Sequence, residues 1–156
     1  MSELALLGGK PVREKPYPSW PRFGEEEKKL LLEVLESREW WRGGELENPN
    51  SKVRKFEKEF AKYLGVKHCI AVTNGTQALE IALRAGGIGP GDEVICPSLT
   101  FIATATSILM ANAIPIFCDI NPETYLLDPE EVKKKITPRT KAIVCLHLAG
   151  NVCDMD

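Results

Sequence analysis

The sequence lacks the features that would make several function classes easy to argue. Its five cysteines, Cys69, Cys96, Cys118, Cys145 and Cys153, contain no C-x-x-C pairing. Most sit in or at the ends of apolar, strand-like runs, so they read as reduced core residues and not as a disulfide framework or a zinc site. There are two histidines, His68 and His147, with no ligand partners nearby in sequence. A packing role or a local hydrogen bond is the expectation for both. No apolar stretch is long enough to span a bilayer, and the opening "MSELALLGGKPVREKPYPSWP" lacks the apolar core and cleavage site of a signal peptide. No membrane association and a cytoplasmic location are therefore expected. Charge of one sign is also missing: 20 basic against 22 acidic residues give a formal net charge of −2. The basic residues form no stripe, which argues against nucleic acid as a partner.

What is present is an ordinary globular composition, 44% hydrophobic and 27% charged over 156 residues. Residues 1–24, with Pro11, Pro16, Pro18 and Pro21, suit an extended arm. Residues 25–65 are expected to hold two amphipathic helices and the turn-rich loop between them. The first, 25–37, starts with acids and has an apolar face through Leu31, Val34 and Leu35. The second, 51–64, spaces Val53, Phe56, Phe60 and Tyr63 at helical intervals and ends at Gly65. From residue 66 onward the rhythm changes. Apolar runs "CIAV", "EVIC", "IPIFC" and "AIVCL" alternate with helical segments 76–86, 102–112 and 129–136. Runs apolar on both faces predict buried strands, and their spacing leaves room for a crossover helix each time. The fold class is α/β, with a mostly parallel sheet and flanking helices over 66–156.

Two glycine-rich stretches compete for a phosphate. "GGIGPG", residues 86–91, follows a helix and precedes a strand, the reverse of a dinucleotide-binding context. "TNGT", residues 73–76, has the required order, strand then helix, and a helix N-terminus presents unpaired N–H groups to an anion. It has no P-loop lysine, which opposes a triphosphate. A ligand-free N-cap turn would use the same residues. One βα unit later "CPSLTFIATAT" places Phe101 just past a strand, either to cover a flat ring or to buttress the next helix. Asp119 could ligate a ribose or a metal, but a turn-forming role fits better. Asp128, Pro129 and Glu131 read as the N-cap, first residue and capping-box acid of the last helix.

Taken together, "NGT", "GxGPGDEVI", "PSLTF", "ITPRTKAI" and "HLAGxxxDMD" occur in an order and spacing that resemble the N-terminal half of the DegT/StrS aminotransferases. The resemblance runs from about residue 8 to the end. "LLGGKPVR" and "WWRGGE" look most like the branch acting on cyclitols and amino-shikimate-type precursors. It implies the large domain of the fold-type I pyridoxal-phosphate class, with pyridoxal 5′-phosphate as cofactor. It also implies amino transfer from glutamine or glutamate to a keto-sugar or cyclitol ketone, and a homodimer for the complete enzyme. Carried over residue by residue, Gly75 and Thr76, with the Gln77 N–H as a further donor, would hold the cofactor's phosphate. Phe101 would stack on its ring, and Trp41, Arg42 and Gly43 would lie on the substrate side. The acid that pairs with the pyridine nitrogen and the lysine that bonds the cofactor would lie beyond Asp156. Asp154 and Asp156 read as turn or cap residues, and the lysines here belong to polar helix faces. The 66–156 region is thus expected to be an incomplete large-domain portion, without a catalytic residue of its own. A truncated product that at most binds the cofactor phosphate is the alternative.

Overall fold

The computed structural model describes residues 3–42, 48 and 50–155, and the chain divides into two compact units, Met1–Cys69 and Ile70–Asp156. Gly43 and Asp156 lie outside the described residues.

The first unit begins with a long exposed arm that is not wholly extended: Ala5–Leu7 form a 3-10 turn closed by Gly8 at φ 108°. Glycine is required at position 9, where a Cβ would stand 1.9 Å from the Glu3 carbonyl oxygen. Helix α1 (Glu25–Ser37) starts at Gly24, whose N–H donates to Glu27 Oε2 at 2.6 Å, and three acids fill its positive first turn. Helix α2 (Lys52–Leu64) starts on the Ser51 hydroxyl and stops at Gly65, φ 70°. Along α2 the Phe56 and Phe60 rings stack with centroids 5.3 Å apart, and Tyr63 follows at 6.2 Å. That face is nevertheless exposed, as are Leu31 and Leu35 of α1. The buried α2 side is instead Glu57 and Ala61, because Arg42 clamps the Glu57 carboxylate with Nε at 2.9 and 3.2 Å. Lys52 bonds Glu33 and so ties α2 to α1.

In the second unit α3 (Gly75–Ala85), β1 (Glu93–Pro97), α4 (Ala103–Met110), β2 (Ile114–Cys118), α5 (Pro129–Lys135) and β3 (Thr140–Ile143) alternate. The strands form a parallel sheet in the order β2-β1-β3. Helices carry the chain back between strands, as parallel pairing demands. One side of the sheet packs Val94 and Cys96 against Leu83 of α3 and Ala105 and Ile108 of α4. The other packs Ile95 and Cys118 against Leu127 and Val132.

Three details depart from expectation. "CIAV" is not one of the sheet's strands: residues 69–72 run irregularly into α3, and a strand exists only with a ladder partner. Full burial is confined to β1, which has a strand on each side, while the edge strands β2 and β3 stay partly exposed. Proline is tolerated in β2, at Pro115, because that strand is an edge. Finally, β3 begins two residues before "AIVCL". Its ladder opens at the Glu93 N–H, which donates to the Arg139 carbonyl at 2.8 Å.

The turns are satisfied locally. Asp128 Oδ1 accepts the Glu130 N–H at 2.9 Å, so the cap of α5 forms, but Glu131 pairs with Lys134 instead of closing a capping box. The turn after β2 belongs to Asn121, whose Oδ1 accepts from the N–H groups of Glu123 and Thr124, and not to Asp119.

At the start of β1, the side chain of Glu93 is buried and held by Arg139 Nε at 2.9 Å and by the Thr137 hydroxyl at 2.5 Å. The Thr137 bond, then the Arg139 bond, hold its carboxyl below the ordinary value. A depressed pKa contributes stability that is present at neutral pH and lost as pH falls through the folded value. Glu93→Gln should therefore lower the urea midpoint at neutral pH and blunt its fall on acidification, followed by circular dichroism. Equal acid sensitivity in both proteins would show that Glu93 titrates as if exposed.

Candidate functional site

At the start of α3 the backbone turns so that Asn74 caps the helix: its Oδ1 accepts the Gln77 N–H at 2.9 Å, and its carbonyl accepts the Ala78 N–H at 3.1 Å. The Gln77 side chain folds back, its Oε1 accepting the Thr73 hydroxyl at 2.6 Å. Gln77 is thus committed through both backbone and side chain. The N–H groups of Gly75 and Thr76 and the Thr76 hydroxyl have no hydrogen-bond partner among the described residues. A Cβ placed on Gly75 would meet nothing within 4 Å, so the space on its side-chain side is open. Two N–H groups without a partner among the described residues, a hydroxyl and the positive end of a helix dipole make a candidate cradle for an anion.

The second part of the site follows β1. Thr100 Oγ1 and Thr104 Oγ1 share a hydrogen bond at 2.7 Å, and the Thr104 N–H donates to the Phe101 carbonyl at 3.0 Å, so the loop is pinned to the first turn of α4. Phe101 itself projects from it, 73% exposed. A Phe buttressing α4 would be covered; this ring has a free face.

Chain direction relates the two parts. Arg84, in the last turn of α3, bonds the Met110 carbonyl at the end of α4, and α3 packs along α4. The two helices therefore run the same way, with their N-termini at the carboxyl edge of the parallel sheet. Gly75, Thr76 and Phe101 share that edge. "GGIGPG" lies at the opposite edge, where Gly87 and Gly91 take positive φ and the Gly89 N–H donates to Asp92.

The substrate-side candidates belong to the first unit. Trp41 is exposed, and Arg42 is engaged by Glu57, which raises its pKa. A polar cleft of about 350 Å³ there is lined by Glu33, Glu39, Asn50, Lys52 and Lys55, but Lys52 and Glu33 already neutralise each other. At the end of β1 the Cys96 thiol is pushed up to about 11 by burial and then by nearby Cys118, so it is no nucleophile near neutrality. His147 accepts the Cys153 N–H on Nδ1 at 3.1 Å, the local role its isolation suggested. The Thr73–Gln77 bond and the Thr100–Thr104 pair were missed in the sequence. Both are hydroxyl residues four positions from a polar partner across the turn that enters a helix, a spacing that could have revealed them.

A family model described as the DegT/DnrJ/EryC1/StrS aminotransferase family matches residues 21–156. The chain belongs to that family. It is 45% identical over 153 residues to the L-glutamine:2-deoxy-scyllo-inosose aminotransferase of Streptomyces lividus, covering 98% of this chain and 36% of that protein. The chain thus spans about a third of the length of the curated relatives it matches. Among solved structures, 3-amino-5-hydroxybenzoic acid synthase superposes with a TM-score of 0.81 at 44% identity, over 90% of this chain and 35% of that one. The sugar aminotransferase Spr1654 of Streptococcus pneumoniae, described as putative and solved in its PLP-form, gives 0.75 at 32% identity, over 86% and 32%. The architecture is that of the fold-type I large domain, and pyridoxal 5′-phosphate is the cofactor expected of the family. No described helix is long and apolar enough to cross a membrane.

The cap makes a separable prediction. Asn74→Ala should destabilise the second unit by about 1 kcal/mol, the usual cost of losing such a cap, measured by urea denaturation. If stability is unchanged, the α3 start is held by something other than Asn74.

Proposed function

We propose that the chain is the cofactor-phosphate and ring-binding portion of a pyridoxal-phosphate-dependent aminotransferase. The complete protein would move an amino group from glutamine or glutamate to a ketone on a sugar or cyclitol. The observation that carries the reading is the pair of N–H groups at Gly75 and Thr76, without a partner among the described residues and on the same sheet edge as the exposed Phe101 ring. When bound, the cofactor supplies an aldehyde carbon that accepts an amine and a ring that withdraws electrons from it.

The residues of this chain bind and orient. The Gly75 and Thr76 N–H groups and the Thr76 hydroxyl would donate to the phosphate, while Asn74 and Gln77, occupied with each other, hold the turn in shape. Phe101 would cover one face of the ring and shield it from water. None of these groups takes or gives a proton. The amino acceptor is proposed from the relatives' own descriptions, which name scyllo-inosose aminotransferases several times. A homodimer and a cytoplasmic location belong to the same proposal, as does a substrate-side role for Trp41, Arg42 and Gly43. So does the division into arm (1–24), helical segment (25–65) and incomplete large-domain portion (66–156).

Binding of pyridoxal phosphate to the 156-residue chain, measured by equilibrium dialysis, tests the cradle without requiring turnover. Thr76→Val keeps the side-chain shape and should weaken binding by about 1–2 kcal/mol, the scale of a hydrogen bond to a charged group. Phe101→Trp should keep binding. Phe101→Ala should lose about 0.5–1.5 kcal/mol beyond its area. Affinity unchanged by Thr76→Val and Phe101→Ala, with circular dichroism showing intact folds, would move the phosphate elsewhere.

A further inference from the structure

Beyond the candidate cofactor site, the carboxyl end of β3 brings two thiols to one face of the sheet. Cys145, just after the strand, packs against the cluster of Ile95, Cys118, Leu127 and Val132. The chain then reverses through Leu148–Gly150, where Ala149 and Gly150 take φ of 52° and 84°. This reversal returns Cys153 to the segment that follows β3. The Cys153 Sγ donates to the Leu146 carbonyl at 3.3 Å, and its N–H donates to His147 Nδ1 at 3.1 Å. Its sulfur therefore sits beside the peptide that joins Leu146 to His147, one residue beyond Cys145. Both cysteines line one apolar cavity of about 230 Å³, with Leu127, Val132 and Ile143. Cys153 is buried, Cys145 half-buried, and both are free thiols.

We propose that Cys145 and Cys153 form a redox-active thiol pair that closes residues 145–153 into a disulfide ring. The inference does not depend on the cofactor reading. The oxidant is a small disulfide such as oxidised glutathione. One protein thiol loses its proton and attacks a glutathione sulfur, expelling one glutathione thiolate. The second protein thiol, also deprotonated, attacks the resulting mixed disulfide and expels the other. One protein S–S bond replaces two S–H bonds. The two electrons and two protons leave as two molecules of glutathione thiol.

The other cysteines are worse placed. Cys96 packs on the opposite side of the sheet from Cys145, Cys118 shares the Cys145 side but lies on β2 with β1 between it and β3, and Cys69 does not line this cavity. The pair is supported by the shared cavity and by the Cys153 Sγ bond to the Leu146 carbonyl, one residue from Cys145. Burial, then the neighbouring Cys153, raises the Cys145 pKa, so oxidation should be slow at neutral pH and quicken in alkali as the thiolate forms.

The full chain would be incubated with oxidised glutathione at about pH 7 and about pH 9, bracketing an ordinary thiol pKa. It would then be acid-quenched, alkylated and peptide-mapped. The expected product is a monomer lighter by two hydrogens, its only cross-link joining Cys145 to Cys153, formed faster at the higher pH. Cys145→Ser and Cys153→Ser should each abolish that cross-link, and Cys69→Ser should leave it. The deciding measurement is made on the unsubstituted chain, so a variant that fails to fold does not cloud it. Three outcomes would overturn the proposal: a cross-link between any other pair, glutathione persisting on either of the two thiols, or both remaining reduced after Cys69 has reacted.

Discussion

Strand β1 is the member on which the second unit depends. It is the strand with a neighbour on each side, and its residues supply both cores, Val94 and Cys96 to one and Ile95 to the other. It is anchored at its first residue, where the Glu93 N–H meets Arg139 and the Glu93 carboxylate meets Thr137 and Arg139, just before its register with β3 shifts between Glu93 and Val94. A one-residue slip would exchange the two faces and place every core side chain on the wrong side. The buried carboxylate opposes such a slip, because moving it away from Arg139 would leave a charge without its partner.

The site inherits its geometry from that strand. Phe101 follows the end of β1 within a short loop, and α3 is aligned by the same cluster that packs Val94 and Cys96. Neither the cradle nor the ring needs a long mobile segment to bring it into place. Two of the three candidate donors are backbone groups at the end of a helix, set by the turn and not by rotamers. Such an arrangement loses little conformational entropy when an anion arrives.

The sequence revealed most where a periodic pattern had a local cause. The spacing of Val53, Phe56, Phe60 and Tyr63 located α2, and Asp128–Pro129 located the start of α5. The α/β architecture followed from the alternation of apolar runs with helical ones. The order of elements around "TNGT" and "PSLTF" brought Gly75, Thr76 and Phe101 forward as candidates. Properties that depend on distant neighbours stayed hidden. Burial of β1 but not of β2 and β3 depends on strand order, which apolar content does not encode. The Glu93–Arg139 pair joins residues far apart in sequence, and nothing in "GDEVI" names its partner. "CIAV" has the composition of a strand, yet composition does not supply a ladder. The α2 stripe was read correctly as one face, but an amphipathic pattern does not say what covers it.

Pro115 has a consequence for how this sheet can be extended. In β2 the Ile114 N–H points inward, to the Asp92 carbonyl, so by alternation the next nitrogen faces outward. That nitrogen belongs to Pro115 and has no hydrogen to donate. The outer margin of β2 thus offers an incoming backbone an interrupted row of donors. Strand β3 contains no proline, although its register with β1 shifts at Lys141, which pairs with no β1 residue. Of the two margins, that of β2 is the one where a proline removes a donor from the outer row.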